Sequence, residues 1–355
     1  MSDFISAKEV AAKWNISQRR VAVLCAENRI DGAIMVGNMW VIPKNAKKPV
    51  DKRTLRYANK KIVELKPFVK WVGGKSQLIG ELEKYLPPVG EKVLTKYAEP
   101  MVGGGALLFA VLAKFSFKQI YISDINSELI NAYNAVKFNV ETLIQSLTDI
   151  QSEYLKLDET ERKNFYYCAR NKYNSLELNE QTKIEKATLF IFLNKTCFNG
   201  LYRVNKKGQF NVPMGAYKKP VICDEKNLRN VSKALKNVTI VCGDYSLSKE
   251  FIDKNTFVYL DPPYRPISET SSFTAYSANA FDDAEQIRLA RFIDEINAVG
   301  AKIVLSNSDP QNDNPEDTFF EELYKAYKIN KVEALRMINS NSDKRGKIKE
   351  LLICN

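Results

Sequence analysis

Nine residues, Thr256-Phe257-Val258-Tyr259-Leu260-Asp261-Pro262-Pro263-Tyr264, end an apolar β-type run abruptly in an acid, two prolines and an aromatic ring. Each proline lacks a backbone donor and restricts the residue before it to extended geometry, so the Asp261 carboxylate and the Pro262 carbonyl are two acceptors with little freedom to rearrange. Such a pair suits an exocyclic amino group on a planar ring, because both N–H bonds can be held while Tyr264 covers the ring face. The chemistry would be the preparation of an adenine or cytosine amino nitrogen as a nucleophile. A strand followed by a proline-rich turn reads the same way, so the rest of the chain must decide.

Three further acids fall at the ends of strand-like runs. Glu99 follows Val93–Ala98 and precedes Pro100-Met101-Val102-Gly103-Gly104-Gly105-Ala106, which leads into an apolar helix through Ala113. A strand, a glycine turn and a helix form a nucleotide-binding arrangement, but the spacing is not G-x-G-x-x-G, which disfavours a dehydrogenase. Asp124 ends the next strand, Ile120–Ser123, and is placed to accept from ribose hydroxyls. Asp244 follows Val238–Cys242 and Gly243. Upstream, Phe68-Val69-Lys70-Trp71-Val72-Gly73-Gly74-Lys75 sets two glycines between an aromatic and a lysine, where a backbone can pass close to a ligand, and a helix is expected over 76–85.

These acids need strands to carry them. Repeated strand-helix alternation, with further strands at Ala301–Asn307 and Lys349–Cys354 and a helix over 283–299, predicts an α/β fold with a doubly wound, mainly parallel sheet. Ligands of such sheets gather at the carboxyl ends of the strands, so one crevice can collect Glu99, Asp124, Asp244 and Asp261. The alternation is interrupted by a mostly helical stretch, residues 126–236. The expected organisation is a small unit over 1–43, a basic linker over 44–66, a catalytic domain over 67–125 and 237–355, and the helical insert between its halves.

Composition narrows the function. There is no histidine in the 355 residues, which removes Ser-His-Asp and Cys-His catalysis and every histidine-containing zinc or iron site; no metal is expected. Six cysteines lack any C-x-x-C pairing and read as reduced and structural. The formal net charge of +11 favours a polyanionic partner. No apolar run approaches the ~18 residues of a membrane span, and the N-terminus lacks an export pattern, so a cytoplasmic protein without a membrane partner is expected.

Two segments look built to touch nucleic acid. The insert carries Phe192-Leu193-Asn194-Lys195-Thr196-Cys197-Phe198-Asn199-Gly200-Leu201-Tyr202-Arg203-Val204-Asn205 and Gly208-Gln209-Phe210-Asn211-Val212-Pro213-Met214-Gly215. Aromatics, amides and basic residues this dense rarely make a core; rings can wedge or stack between bases, and Arg203 can grip a guanine edge with two bonds. A helix end followed by a hairpin with polar tips is the plainer reading. At the N-terminus, Ser6 with Glu9 forms a capping box, Ser17 caps a second helix starting Gln18-Arg19-Arg20, and Ala33–Val36 with Met39–Pro43 forms a hairpin. This is a winged helix-turn-helix pattern resembling excisionase-type domains, suited to DNA contact or to docking a protein.

From Pro67 onward the chain resembles the Dam-type DNA adenine methyltransferases, including those of restriction systems directed at GATC. The resemblance rests on Phe68–Lys75, Glu99–Gly105, Ser123-Asp124-Ile125-Asn126, Phe198–Asn205, Gly208–Pro213, Asp261–Tyr264 and Leu305-Ser306-Asn307, in that order. It implies the S-adenosylmethionine-dependent methyltransferase fold, with Trp71, Lys75, Asp124 and Asp261 at positions contacting that cofactor and with Glu99, Gly103 and Asp244 in the same pocket. It implies that Asp261, Pro262 and Tyr264 act on the target base and that Phe198 and Asn199 wedge into double-stranded DNA. Leu201, Arg203 and Pro213 match base-reading positions, and Lys70 one that grips the first guanine. Phe198 stands where some relatives carry Tyr. The implied activity is methylation of a flipped adenine at N6 in GATC, alongside a possible cognate restriction nuclease. Methylation of RNA adenine or a protein glutamine, or a DNA-binding regulator with an inert methyltransferase-like domain, are the rival readings.

Overall fold

The computed structural model describes residues 4–14, 16–27, 29–49, 64–71, 73, 75, 77–86, 94–265, 281–335 and 347–355. The chain forms two compact units, residues 1–59 and 60–355. Most of the expected basic linker lies outside the described residues, as do Val72, Gly74, Ser76 and Val93.

In the first unit, β1 (Phe4–Ser6), α1 (Ala7–Trp14), α2 (Gln18–Ala26), β2 (Ile34–Val36) and β3 (Met39–Pro43) surround a core of Val10, Trp14, Val21, Leu24 and Ile42. Glu9 returns a bond to the Ser6 backbone N–H at 2.8 Å while Ser6 Oγ accepts from the Glu9 N–H at 3.3 Å. Ser17 Oγ accepts from the Arg20 N–H at 3.2 Å. β1 is too short to stand out in the sequence; it exists because it pairs with β3, giving the order β1-β3-β2. The hairpin leaves Ile34, Met35, Val36 and Met39 exposed.

The second unit is built on a seven-stranded sheet of order β6-β5-β4-β7-β8-β10-β9. Its strands are β4 (Lys96–Glu99), β5 (Gln119–Asp124), β6 (Val238–Cys242), β7 (Thr256–Leu260), β8 (Lys302–Ser308), β9 (Lys328–Leu335) and β10 (Lys347–Cys354). β6 through β8 are parallel, whereas β10 runs antiparallel between β8 and β9. β7 is buried along its whole length, which is why it reads as a continuous apolar run. Its alternation sends Phe257 and Tyr259 to one core and Val258 and Leu260 to the other. α3 (Ile79–Leu82) is one turn rather than the helix expected over 76–85. β9 was not expected: Lys328, Lys331 and Glu333 break the apolar pattern, and pairing along β10 supplies its order.

From β4 the chain passes through α4 (Ala106–Lys114) to β5, then through the insert to β6. The insert comprises α5 (Ser127–Phe138), α6 (Val140–Lys156), α7 (Glu159–Ser175), α8 (Lys183–Thr196) and α9 (Glu225–Leu235). Edge-to-face contacts among Tyr154, Phe165 and Phe192 bind α6, α7 and α8. After β6 the chain returns beside β4 as β7, and α10 (Asp283–Ala298) leads to β8. The strand order therefore reverses between β4 and β7, the place where open α/β sheets bind ligands.

Candidate active site

The four strand-end acids sit on four adjacent strands. Pairing of Asp124 with Cys242 and of Glu99 with Ile122 aligns these ends, so Asp244, Asp124, Glu99 and Asp261 follow one another along the carboxyl edge of β6, β5, β4 and β7. Gly103 and Gly105 have φ of 49° and 72°, a left-handed turn that glycine adopts without strain. A Cβ at Gly103 would lie 2.8 Å from Trp71 Cδ1, so the indole lies directly on the turn. Asp124 accepts from the backbone N–H groups of Gly103 at 3.0 Å and Asn126 at 2.9 Å, and burial raises its pKa against those bonds.

Glu99 is buried, and Tyr97 donates to it at 2.6 Å. Burial pushes its carboxyl up to about 8; the Tyr97 bond opposes this and the neighbouring Asp261 charge adds to it. Asp244 differs. Arg288 holds both its oxygens, at 3.1 and 2.7 Å, and these bonds bring it down to about 2. Its carboxylate already has a cation.

Asp261 belongs to a polar chain that runs deep into the sheet. Tyr259 OH meets Ser306 Oγ at 2.8 Å, and Ser306 donates to Asp261 Oδ1 at 3.0 Å. Lys75 Nζ lies 2.9 Å from the same Oδ1 and donates to Tyr264 OH at 2.7 Å. Tyr264 in turn donates to Glu350 Oε1 at 3.0 Å. Among the described residues the Ser306 bond and the nearest Lys75 approach both fall on Oδ1, which leaves the lone pairs of Oδ2 to another donor. Burial alone would lower the Lys75 ammonium, yet Asp261, Tyr264 and Glu350 outweigh it and its pKa lies above the lysine range. Tyr264 remains 38% exposed while its hydroxyl is tied from both sides. Buried Gln286 donates to the Pro263 carbonyl at 3.3 Å, and Asn307 donates to Gln286 Oε1 at 3.3 Å, which fixes the proline turn from behind.

Two of the segments expected to face DNA, at Lys70 and at Gly200, meet on one buried amide. Asn194, near the end of α8, accepts from the Lys70 N–H at 2.7 Å and donates to the carbonyls of Lys70 at 2.8 Å and Gly200 at 3.1 Å. A Cβ at Gly200 would overlap the Lys70 side chain, so only glycine lets the two segments pass. Lys70 Nζ stands 3.9 Å over the Tyr217 ring. Phe198 is 50% exposed, Asn199 has a φ of 55°, and the Phe198 N–H donates to the Pro213 carbonyl at 2.9 Å. Leu201 is half-buried, and Arg203 Nε donates to Asn211 Oδ1 at 2.7 Å. Tyr202 stacks on Trp71 with centroids 5.5 Å apart, joining this loop to the glycine turn.

From sequence Asn194 stands only as one amide of a surface block, and neither it nor Glu350 has a role of its own; Asn194 is in fact buried. Glu350 is one acid in an apolar terminal strand, a pattern that a solvated edge produces equally well. Lys195 lies in the block read as a nucleic-acid surface; burial, with Lys70 adding, brings its ammonium down to about 8. That reading is corrected for part of the block: Phe192, Leu193, Cys197, Tyr202, Phe210 and Val212 are buried in the main core, because the end of α8 and the following loop pack against the other insert helices. Among the described residues no cluster of three or more ligating side chains suits a metal ion, and no helix is long and apolar enough to cross a membrane.

Strand-end acids and a glycine turn at the point of strand reversal form the place where open α/β sheets bind ligands. The family of D12 class N6 adenine-specific DNA methyltransferases matches residues 71–338. The type II methyltransferase M.MjaIII of Methanocaldococcus jannaschii is 51% identical over 82% of this chain and all of that protein. M1.LlaDCHI of Lactococcus lactis subsp. cremoris is 38% identical over 82% of this chain and 96% of its own. The DNA adenine methylase of Escherichia coli K12 is 34% identical over 80% of this chain and 93% of its own. The chain belongs to the D12 class of N6 adenine-specific DNA methyltransferases. It is an enzyme that methylates adenine in DNA, and membership of this class implies S-adenosylmethionine as donor in general terms.

Proposed function

We propose that the target is the adenine of GATC in duplex DNA, extruded into the crevice between β4 and β7 and methylated at N6. The observation that carries the chemistry is that no described residue bonds Asp261 Oδ2, with Pro262 next in the chain and Tyr264 partly exposed two residues on; GATC as the target follows from the resemblance. S-adenosylmethionine supplies a methyl group on a sulfonium, already bound to a good leaving group. The cleft fits it: the glycine turn has no room for a Cβ beside Trp71, and Glu99, buried, and Asp124, partly buried, are acids on the same edge. Trp71, Lys75, Glu99, Gly103, Asp124 and Asp261 would hold it. Asp244, paired with Arg288, would join only by exchanging that partner.

Asp261 and the Pro262 carbonyl accept the two N6 hydrogens and draw the nitrogen lone pair out of conjugation with the ring, while Tyr264 stacks on the base. Extrusion costs a few kcal/mol, which Phe198 and Asn199 offset by filling the gap in the stack. Lys70, Leu201, Arg203 and Pro213 read the neighbouring bases. Arg203 is held by Asn211 here and keeps guanidinium N–H groups for a guanine edge. The first unit adds an accessory DNA grip through Arg19 and Arg20 of α2, since residues 32–43 contain no Lys or Arg. We also infer a cytoplasmic enzyme that works beside a cognate nuclease.

Labelled S-adenosylmethionine offered with duplexes containing or lacking GATC, and with RNA, tests the reading. Label only in GATC duplexes supports it; label in RNA, or equal label without GATC, overturns it. No label at all would favour the inert regulator.

A further inference from the structure

The last strand carries an acid that the chemistry above leaves without a task. Glu350 lies on β10 opposite Ser308 of β8 and is 7% exposed. Taking a carboxylate out of water is unfavourable unless it is paired and hydrogen-bonded, so its partners define its purpose. Among the described residues they are two: Tyr264 donates to Oε1 at 3.0 Å, and Lys75 Nζ forms an ion pair 3.5 Å from Oε2, which makes no hydrogen bond. Lys75 is itself only 4% exposed and is shared between Glu350 and Asp261.

This sharing has two effects. The Tyr264 phenol receives a hydrogen from Lys75 and gives its own to Glu350, so its hydroxyl direction, and with it the ring plane, is fixed at the end remote from the exposed face. Lys75 is drawn toward two carboxylates instead of one, and its nearest approach to Asp261, 2.9 Å, is to Oδ1. We propose that Glu350 is a positioning residue for methyl transfer, holding the Tyr264 ring over the place of the target base and keeping Asp261 Oδ2 open to the amino group. The inference rests on the reading of Asp261 and Tyr264 given above.

The test compares wild type, Glu350→Gln, Tyr264→Phe and the double variant of the full chain, using tritiated S-adenosylmethionine and plasmid DNA free of adenine methylation. Glu350→Gln should lower kcat at least about tenfold with KM for DNA changed less than about threefold. The double variant should lose at least about fivefold less than the product of the two single losses, because both act on one ring. A purely structural role would leave kcat intact or give multiplicative losses, and either result overturns the proposal. Should Glu350→Gln not fold, Glu350→Asp, which keeps the charge but cannot span to the phenol, carries the same expectations. Wild type that fails to label DNA would sink the underlying reading; active wild type with a silent Glu350 variant would sink only this inference.

Discussion

The crevice and the loop proposed to face DNA lie on one unit yet are built on opposite principles. Around Asp261 the side chains are buried and joined from Tyr259 through Ser306 and Lys75 to Glu350, on strand ends that cannot shift independently. Around Phe198 the apolar ring faces solvent, and the next residue occupies a left-handed conformation. Alignment for in-line transfer rewards rigidity, whereas entering a duplex needs a protruding group that water covers until DNA arrives. The buried amide of Asn194 lets the second region stand on the first, fixing the loop's base and leaving its tip free.

Substitutions should separate the regions. Asp261→Ala should reduce methylation by roughly 10³-fold or more, measured as label incorporated into DNA. Lys75 keeps Glu350 as a partner, so cooperative unfolding in urea should persist. Phe198→Ala should cost about 10- to 100-fold in kcat/KM, since extrusion loses a few kcal/mol of support, with donor affinity by calorimetry unchanged. A drop in donor affinity would erase the distinction between the regions.

Glu99 tests the rigid region through pH. Below about 4.5 its carboxyl is neutral folded and unfolded; between there and about 8 only the unfolded chain ionises, so stability falls as pH rises. Glu99→Gln removes that loss. Urea denaturation should find the variant level with wild type near pH 4 and more stable by roughly 2–5 kcal/mol at pH 9. The smallest effect belongs to the loop: Asn199→Gly removes the strain at φ 55° and should stabilise by about 0.5 kcal/mol while lowering activity on duplex DNA. Lower stability would show that the Asn199 conformation is not strained.

Much of the crevice was legible because its acids end apolar strands, and the burial of β7 on both faces made the Asp261 run conspicuous. β9 and β1 were not, since both owe their order to partners distant in the chain. Glu350 and Asn194 stayed hidden for a related reason. Their roles depend on what faces them, Tyr264 86 positions away and Lys70 124 positions away, and no local pattern encodes such contacts. The Arg288 clamp on Asp244 was equally invisible from a strand end.

The most direct test is a crystal structure of the protein with a duplex containing the target adenine and a non-transferring donor analogue. The account predicts an extruded adenine under Tyr264, with N6 within about 3.2 Å of both an Asp261 carboxylate oxygen and the Pro262 carbonyl. An adenine still stacked in the duplex, or one bound with N6 turned away from Asp261, would contradict it.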